Sequence, residues 1–382
     1  RGSGHGGFSS VRGAAAPLRV CVGTWNMGGK ACPEDVDLSV WLKRDAFDIY
    51  AVGVQECEAG AGVSTANQRP KWEKRLSECI GPRYVMLAKH CLGTTHVACF
   101  VREELRSECH DVHTAQVITG VGKVVANKAG VGVCFDLRHT SFLFVTAHFA
   151  AHMGKVRARN DDFARIDKEL FRLMCPKLAA TLPRQSSMTA ILGGLGGLGD
   201  AAKVSPEPAL DHTFPPKNAP PEPSVSAHFD RVFWFGDFNY RIENTRELVD
   251  AKLGEKTQEA LQSLLRDDQL LAQIAAGSVF KDFKEPLVHF PPTYKYDKGT
   301  SAYDSGKKMR VQAWTDRILF RAPSNNQESI KCVRYDSVQG ICSSDHKPVV
   351  GHFEVHVPQE NFGSVRSARE AMRKGSAACT IL

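Results

Sequence analysis

The chain has 382 residues, of which 42% are hydrophobic and 24% charged. These proportions exclude a disordered, collagen-like or disulfide-stapled chain, and no apolar run reaches the roughly 20 residues that a membrane-spanning helix requires. Forty-nine Lys and Arg against 42 Asp and Glu leave a net charge of +7, a mild bias toward anionic partners that falls short of a dedicated nucleic-acid binder.

Residues 1–16 are rich in Gly, Ser and Ala and read as a flexible N-terminal segment; the chain opens on Arg1 rather than Met, so its numbering is expected to start either inside a longer protein or after an added tag. Twelve cysteines are scattered without a C-x-x-C pair, which predicts reduced thiols in a cytosolic setting. Residues 17–357 form the predicted folded domain. There, short apolar, β-branched runs recur: LRVCVGTW, FDIYAVGVQE, YVMLA, HVACFV, GVGVCFDL, SFLFVTAH, RVFWFGDF, DRILFRA and VVGHFEV. Each ends in polar residues or Gly, as strands do. Helical patterns are predicted near residues 35–44, 71–79, 155–175 and 245–274. Strands that interleave with helices yet also come in pairs imply two mixed sheets packed face to face with helices outside, a four-layer α/β sandwich. Residues 181–226 interrupt this rhythm with Gly- and Pro-rich sequence and read as a surface insertion. Within them Gly194, Gly196 and Gly199 match G-x-G-x-x-G, but no strand precedes and no helix follows, so a flexible loop is expected there.

The residues able to carry chemistry cluster at strand ends. VCVGTWN finishes in Trp25 and Asn26, and FDIYAVGVQE in Gln55 and Glu56. A hard cation such as magnesium takes carboxylate and amide oxygens together with water and phosphate, so these ends could assemble one open metal site, against the alternative of solvated termini. HFAAH places His148 and His152 four apart, but Phe149 stands where a zinc protease needs Glu, and the motif extends a strand. His148 reads either as a phosphate-facing imidazole or as a structural one. In RVFWFGDFNYR, Asp237 and Asn239 stand two apart; on an extended strand both would share a face, and the alternative is an Asx turn closing the strand. Residues 291–320 are dense in Lys, Arg and Tyr, with Lys295, Lys308 and Arg310 able to grip a phosphate that is not cleaved, or simply to face solvent. SSDHKPV sets Asp345 and His346 in a loop before an apolar strand.

Taken together, TWN, GVQE, HFAAH, ARNDDF, WFGDFNYRI, PTYKYD, AWTDRIL and SSDHKPV resemble, in order and spacing, the inositol polyphosphate 5-phosphatases, and most of all their prenylated type IV branch. The resemblance implies the fold shared by DNase I-like and AP endonuclease enzymes, and magnesium-dependent hydrolysis of a 5-phosphate on lipids such as PtdIns(4,5)P2 and PtdIns(3,4,5)P3. Carried over residue by residue, it implies that Glu56 holds Mg2+ with Asn26 beside it. Asp237 would activate or orient water, Asn239 would stabilise the transition state, and His346, oriented by Asp316, would bind the scissile phosphate with His148. Asp345 would support the metal and water network, and Tyr294, Lys295, Lys308 and Arg310 would grip the 4-phosphate. Three departures from the family pattern stand out: NKAG at residues 127–130, Gln312 for a common Pro and Thr315 for a common Cys.

Residues 358–382 read as a basic tail. CTIL forms a C-a-a-X box on Cys379, with Leu382 favouring geranylgeranyl. One prenyl chain anchors only marginally, and Arg366, Arg369, Arg373 and Lys374 supply a second attraction to anionic lipid. The expectation is a monomer held peripherally on the cytoplasmic face of a membrane, ciliary or Golgi by family analogy, with no nucleic-acid partner. The competing expectations are a soluble inositol phosphate substrate, a nuclease of the same superfamily, and a lipid-binding module without turnover.

Overall fold

Period-two alternation builds the sheets. Strand β1 (Leu18–Asn26) sends Val20 and Val22 to one buried cluster and Cys21 and Trp25 to another, and β2 (Ile49–Gln55) does the same with Ile49 and Ala51 against Tyr50 and Val52. A strand that is apolar on both faces must be covered on both. These strands lie in a six-stranded sheet ordered β10-β11-β1-β2-β4-β3, completed by β3 (Tyr84–Leu92), β4 (Thr95–Arg102), β10 (Ile330–Ser337) and β11 (Val349–Val355). A five-stranded sheet runs in chain order through β5 (Cys109–Ile118), β6 (Ala129–Leu137), β7 (Thr140–His148), β8 (Arg231–Asp237) and β9 (Asp316–Arg321). The structure, a computed structural model, describes residues 16–30, 34–57, 69–120, 128–171 and 224–357.

The two sheets face each other across the largest core, where Phe135, Phe142, Phe144 and Phe233 stack. Helices α1 (Ser39–Leu42) and α2 (Arg69–Ile80) cover the outer face of the first sheet through Trp41, Trp72 and Leu76. Helix α3 (Val156–Glu169) covers the second through Phe163 and Ile166. The result is the expected four-layer sandwich of two mixed sheets.

Several local expectations need correction. The pattern over residues 245–274 is not one helix but three, α4 (Arg246–Gly254), α5 (Gln258–Leu265) and α6 (Gln269–Ala275), because Thr245, Thr257 and Asp268 each accept a capping hydrogen bond and restart the chain. The pattern over residues 35–44 yields only the single turn of α1. Two strands carried no apolar run: β5 and β10 sit at sheet edges with many partly exposed polar side chains. The Gly-rich motif, most of the insertion and the C-terminal tail lie outside the described residues.

Candidate active site

Register places the site. In the second sheet the last residue of β7, His148, lies opposite Asp237 at the end of β8, and Asp237 lies opposite Asp316 at the start of β9. In the first sheet Asn26 lies opposite Gln55. Because both sheets bring these rows to one end of the sandwich, Asn26 Nδ2 donates across to Asp237 Oδ2 at 2.8 Å. Glu56 follows directly with φ +49, its side chain 40% exposed and its Oε1 3.8 Å from His148 Nε2. Gln55, predicted as a possible oxygen ligand, turns inward instead: its amide donates to Thr146 Oγ1 at 2.9 Å and pairs with Thr24, joining the sheets.

Asp237 is buried, 3.3 Å from His148 Nε2, and accepts the Asn239 backbone N–H on Oδ1 at 3.0 Å. That last bond corrects the expectation that strand alternation aligns the two side chains. β8 ends at Asp237, Asn239 has φ +58, and the pair is an Asx turn. The turn still brings Asn239 to the site, where Nδ2 donates to Phe149 O at 3.1 Å and Oδ1 accepts from Arg241 Nη2 at 2.5 Å. Burial would raise the Asp237 pKa, but the hydrogen bond from His148 and the charges of His346 and Lys128 hold it well below the usual carboxylate range. His148 is itself pushed down by burial and by Lys128, toward the neutral imidazole.

His346 is also buried, yet Asp316 outweighs the desolvation and raises its pKa to about 10, so it carries charge at neutral pH. Its Nδ1 donates to Asp316 Oδ2 at 2.9 Å. The hydroxyls of Thr293 and Thr315 donate to the same oxygen at 2.7 and 2.9 Å. The Thr that replaces a common Cys therefore braces the carboxylate. Nε2 of His346 has no hydrogen-bond partner among the described residues and is free for a substrate oxygen.

The loop carrying Asp345 and His346 is stitched by its backbone to the PTYKYD segment: Tyr296 N donates to Asp345 O at 3.0 Å and Lys347 N to Thr293 O at 2.9 Å. The Tyr294 ring packs between the His346 ring, 4.6 Å between centroids, and the Arg241 guanidinium, 4.5 Å from its centroid. Asp345 Oδ2 accepts from Lys295 Nζ at 3.1 Å, and Lys298 Nζ stands 3.6 Å from Oδ1. Burial opposes ionisation of Asp345, but His346, Lys298 and Lys295 win and lower its pKa. Lys298 also donates to Gly28 O at 2.6 Å. Gly28, at φ +62, leaves no room for a side chain: a Cβ there would lie 2.5 Å from Asp345 Oδ1. Lys308 is exposed and Arg310 partly so, and neither side chain has a partner among the described residues. Cys379 lies outside those residues.

Asp237, Asp316 and His346 offer ligand atoms within 4.8 Å of one another. Two of these atoms already serve each other in the His346–Asp316 pair. The oxygens best suited to a hard cation are the exposed Glu56 carboxylate, which makes no hydrogen bond among the described residues, and Asn26 Oδ1, whose contact is the Gly28 N–H at 2.9 Å and which keeps a second lone pair. This donor set fits a divalent cation. Sequence alone assigns no role to Lys128, Arg241, Thr293 or Lys298. Only Lys298, three residues past Lys295 in the same basic segment, left a signal that spacing could have used.

Residues 23–352 match the model of Endonuclease/Exonuclease/phosphatase family 2. The chain is 36% identical over 339 residues, 88% of its length, to human phosphatidylinositol polyphosphate 5-phosphatase type IV, and spans 46% of that protein. It covers about half the length of the type IV relatives and about a third of other curated relatives it matches. The inositol polyphosphate 5-phosphatase domain of SPsynaptojanin, solved with inositol (1,4)-bisphosphate and calcium ion, superposes with a TM-score of 0.69 at 27% identity, covering 94% of this chain and 93% of that one. A Cimex nitrophorin ferrous NO complex has a TM-score of 0.63 at 20% identity, covering 90% and 100% of the two chains. The last likeness concerns the fold alone; function has to be argued from the site.

Proposed function

The chain belongs to Endonuclease/Exonuclease/phosphatase family 2, within its inositol polyphosphate 5-phosphatase branch, and from that premise we propose that it hydrolyses the 5-phosphate of phosphoinositides such as PtdIns(4,5)P2 and PtdIns(3,4,5)P3 with Mg2+. The observation that carries this reading is the backbone stitching of PTYKYD to the SDHK loop, which sets lysines beside the hydrolytic residues. A diester-cleaving site has no need of such a neighbour, whereas a substrate with adjacent phosphates does.

A phosphate monoester repels nucleophiles through its own charge, so that charge must be neutralised before water adds. Glu56 and Asn26 would hold the magnesium ion, which when bound supplies positive charge to the phosphate and lowers the pKa of water. His346, kept as imidazolium by Asp316, offers Nε2 to a phosphate oxygen. Asn239 has a second amide hydrogen beyond the one given to Phe149 O and donates to charge that develops on the phosphoryl group. Asp237 accepts a hydrogen bond from the attacking water. Its low basicity suits orienting that water better than retaining its proton. Water bonds to phosphorus as the bond to the inositol oxygen breaks, and one proton of that water ends on the leaving oxygen, so the products are the inositol hydroxyl and hydrogen phosphate. Tyr294 and Lys295, with Lys308 and Arg310 at the rim, are the proposed contacts for the 4-phosphate.

The lipid form of the substrate is favoured by the tail, where prenylation of Cys379 beside Arg366, Arg369, Arg373 and Lys374 would hold the enzyme peripherally on a cytoplasmic membrane face. Phosphate release from PtdIns(4,5)P2, PtdIns(3,4,5)P3, inositol 1,4,5-trisphosphate and abasic duplex DNA, each with Mg2+, tests the proposal. Turnover of the two lipids ahead of the soluble trisphosphate is expected; cleavage of DNA without release from any inositol substrate would overturn it.

A further inference from the structure

Lys128 stands where a cation is required. It immediately precedes β6, whose first residue, Ala129, pairs with His148, and its Nζ lies against His148 Nε2. That imidazole nitrogen, His148 Nε2, is in turn 3.3 Å from Asp237 Oδ2 and 3.8 Å from Glu56 Oε1. The ammonium thus sits beside the imidazole on which two carboxylates from two different sheets converge. The charged groups that face it are Asp237, Glu56 and Asp162, which favour its charge, and Arg241, which opposes it. Carboxylates gathered this closely repel each other unless a positive charge stands among them.

We propose that Lys128 is a resident competitor for the divalent cation, its ammonium neutralising Glu56 and Asp237 until the cation displaces it. This rests on the reading of Glu56 as a metal ligand. A cation held by Glu56 repels the ammonium on the neighbouring imidazole, so part of the cation's affinity goes into moving the lysine. A substrate phosphate offers the displaced ammonium a new anionic partner. Cation and substrate therefore bind cooperatively, and by linkage each raises the other's affinity by the same factor.

The test is direct binding of Mn2+, followed by electron paramagnetic resonance, to the full chain without substrate. Lys128→Gln and Lys128→Met are expected to bind Mn2+ at least roughly tenfold more tightly than wild type, as removal of a unit charge a few ångströms away implies. Lys128→Arg, which keeps the charge, should stay near wild type, and Glu56→Gln should bind more weakly. If Gln and Met at position 128 bind no more tightly while Glu56→Gln weakens, the competitor role is overturned and the metal site stands. If Glu56→Gln binds as wild type does, the metal reading falls and takes this proposal with it. A measurement on the native lysine guards against misfolded variants. In protein with 13C-methylated lysines, the Lys128 signal, identified by its absence from Lys128→Arg, should move on addition of Mg2+; a signal unmoved at saturating Mg2+ contradicts the displacement.

Discussion

Asp316→Asn removes the anion that keeps His346 charged while preserving the shape of the side chain. In the native protein the imidazole is buried yet titrates at about 10, against an ordinary value of 6.5. If the neutral amide returns it to the neighbourhood of 6.5, the charged fraction at pH 8 falls from about 0.99 to about 0.03. An imidazolium needed to neutralise phosphate would then leave kcat/KM roughly thirtyfold lower at pH 8, with much less loss at pH 6, where about three quarters stays charged. The alkaline limb of the pH–rate profile should move from near 10 toward neutrality. Stability follows the same linkage. The folded-state value lies above the unfolded one, so the stabilisation is complete below about pH 6.5 and is lost as pH rises toward 10. The melting difference between wild type and Asp316→Asn should accordingly be widest in mild acid and narrow in alkali. Phosphate release between pH 5.5 and 9.5, with 15N chemical shifts of His346 alongside, tests the argument. Parallel profiles, or an imidazole that is neutral at pH 8 in the wild type, would refute it.

Three further outcomes concern the frame around the site. Gln55→Leu leaves the buried hydroxyls of Thr24 and Thr146 without their shared amide and should cost about 1–3 kcal/mol in urea denaturation; an unchanged midpoint would show that the sheet-joining bonds contribute nothing. Arg317 lies fully buried between Asp268, at 3.0 Å, and Glu285, at 2.5 Å. Arg317→Met strands both carboxylates, for an expected loss of about 3–5 kcal/mol, and a variant as stable as wild type would contradict that account. Gly28→Ala forces a Cβ onto Asp345 at φ +62, so stability should drop by about 1–2 kcal/mol and the Asp345–Lys298 contact should break. A crystal structure of the variant with that contact intact would disprove the crowding argument.

The central strands were legible because burial on both faces makes them nearly continuous apolar runs: β1, β2, β7 and β8 each show it in their residue types. Edge strands β5 and β10 were not, since their outward residues are polar and nothing in CHDVHTAQVI or IKCVRYDS marks a core. A long helical pattern hid the caps at Thr257 and Asp268, whose effect depends on where the chain turns. The strand-end chemistry of Asn26, Glu56, His148 and Asp237 could be read as a set of residue types, but not the register that aligns them across two sheets. Asn239 shows the limit most clearly. Its two-residue spacing from Asp237 suggested a shared strand face, whereas the chain delivers it through an Asx turn. Lys128 and Arg241 were passed over because a lone cation in sequence carries no sign of the carboxylate or aromatic ring it meets in the fold.

The proposed hydrolysis depends on Asp237 acting at the point where both sheets end. The most direct measurement is Mg2+-dependent phosphate release from inositol 1,4,5-trisphosphate by wild type and by Asp237→Asn, with circular dichroism showing that both are folded. The prediction is turnover by the wild type and a fall of roughly 10²–10⁴ in kcat for the variant; equal rates from the two folded proteins would contradict it.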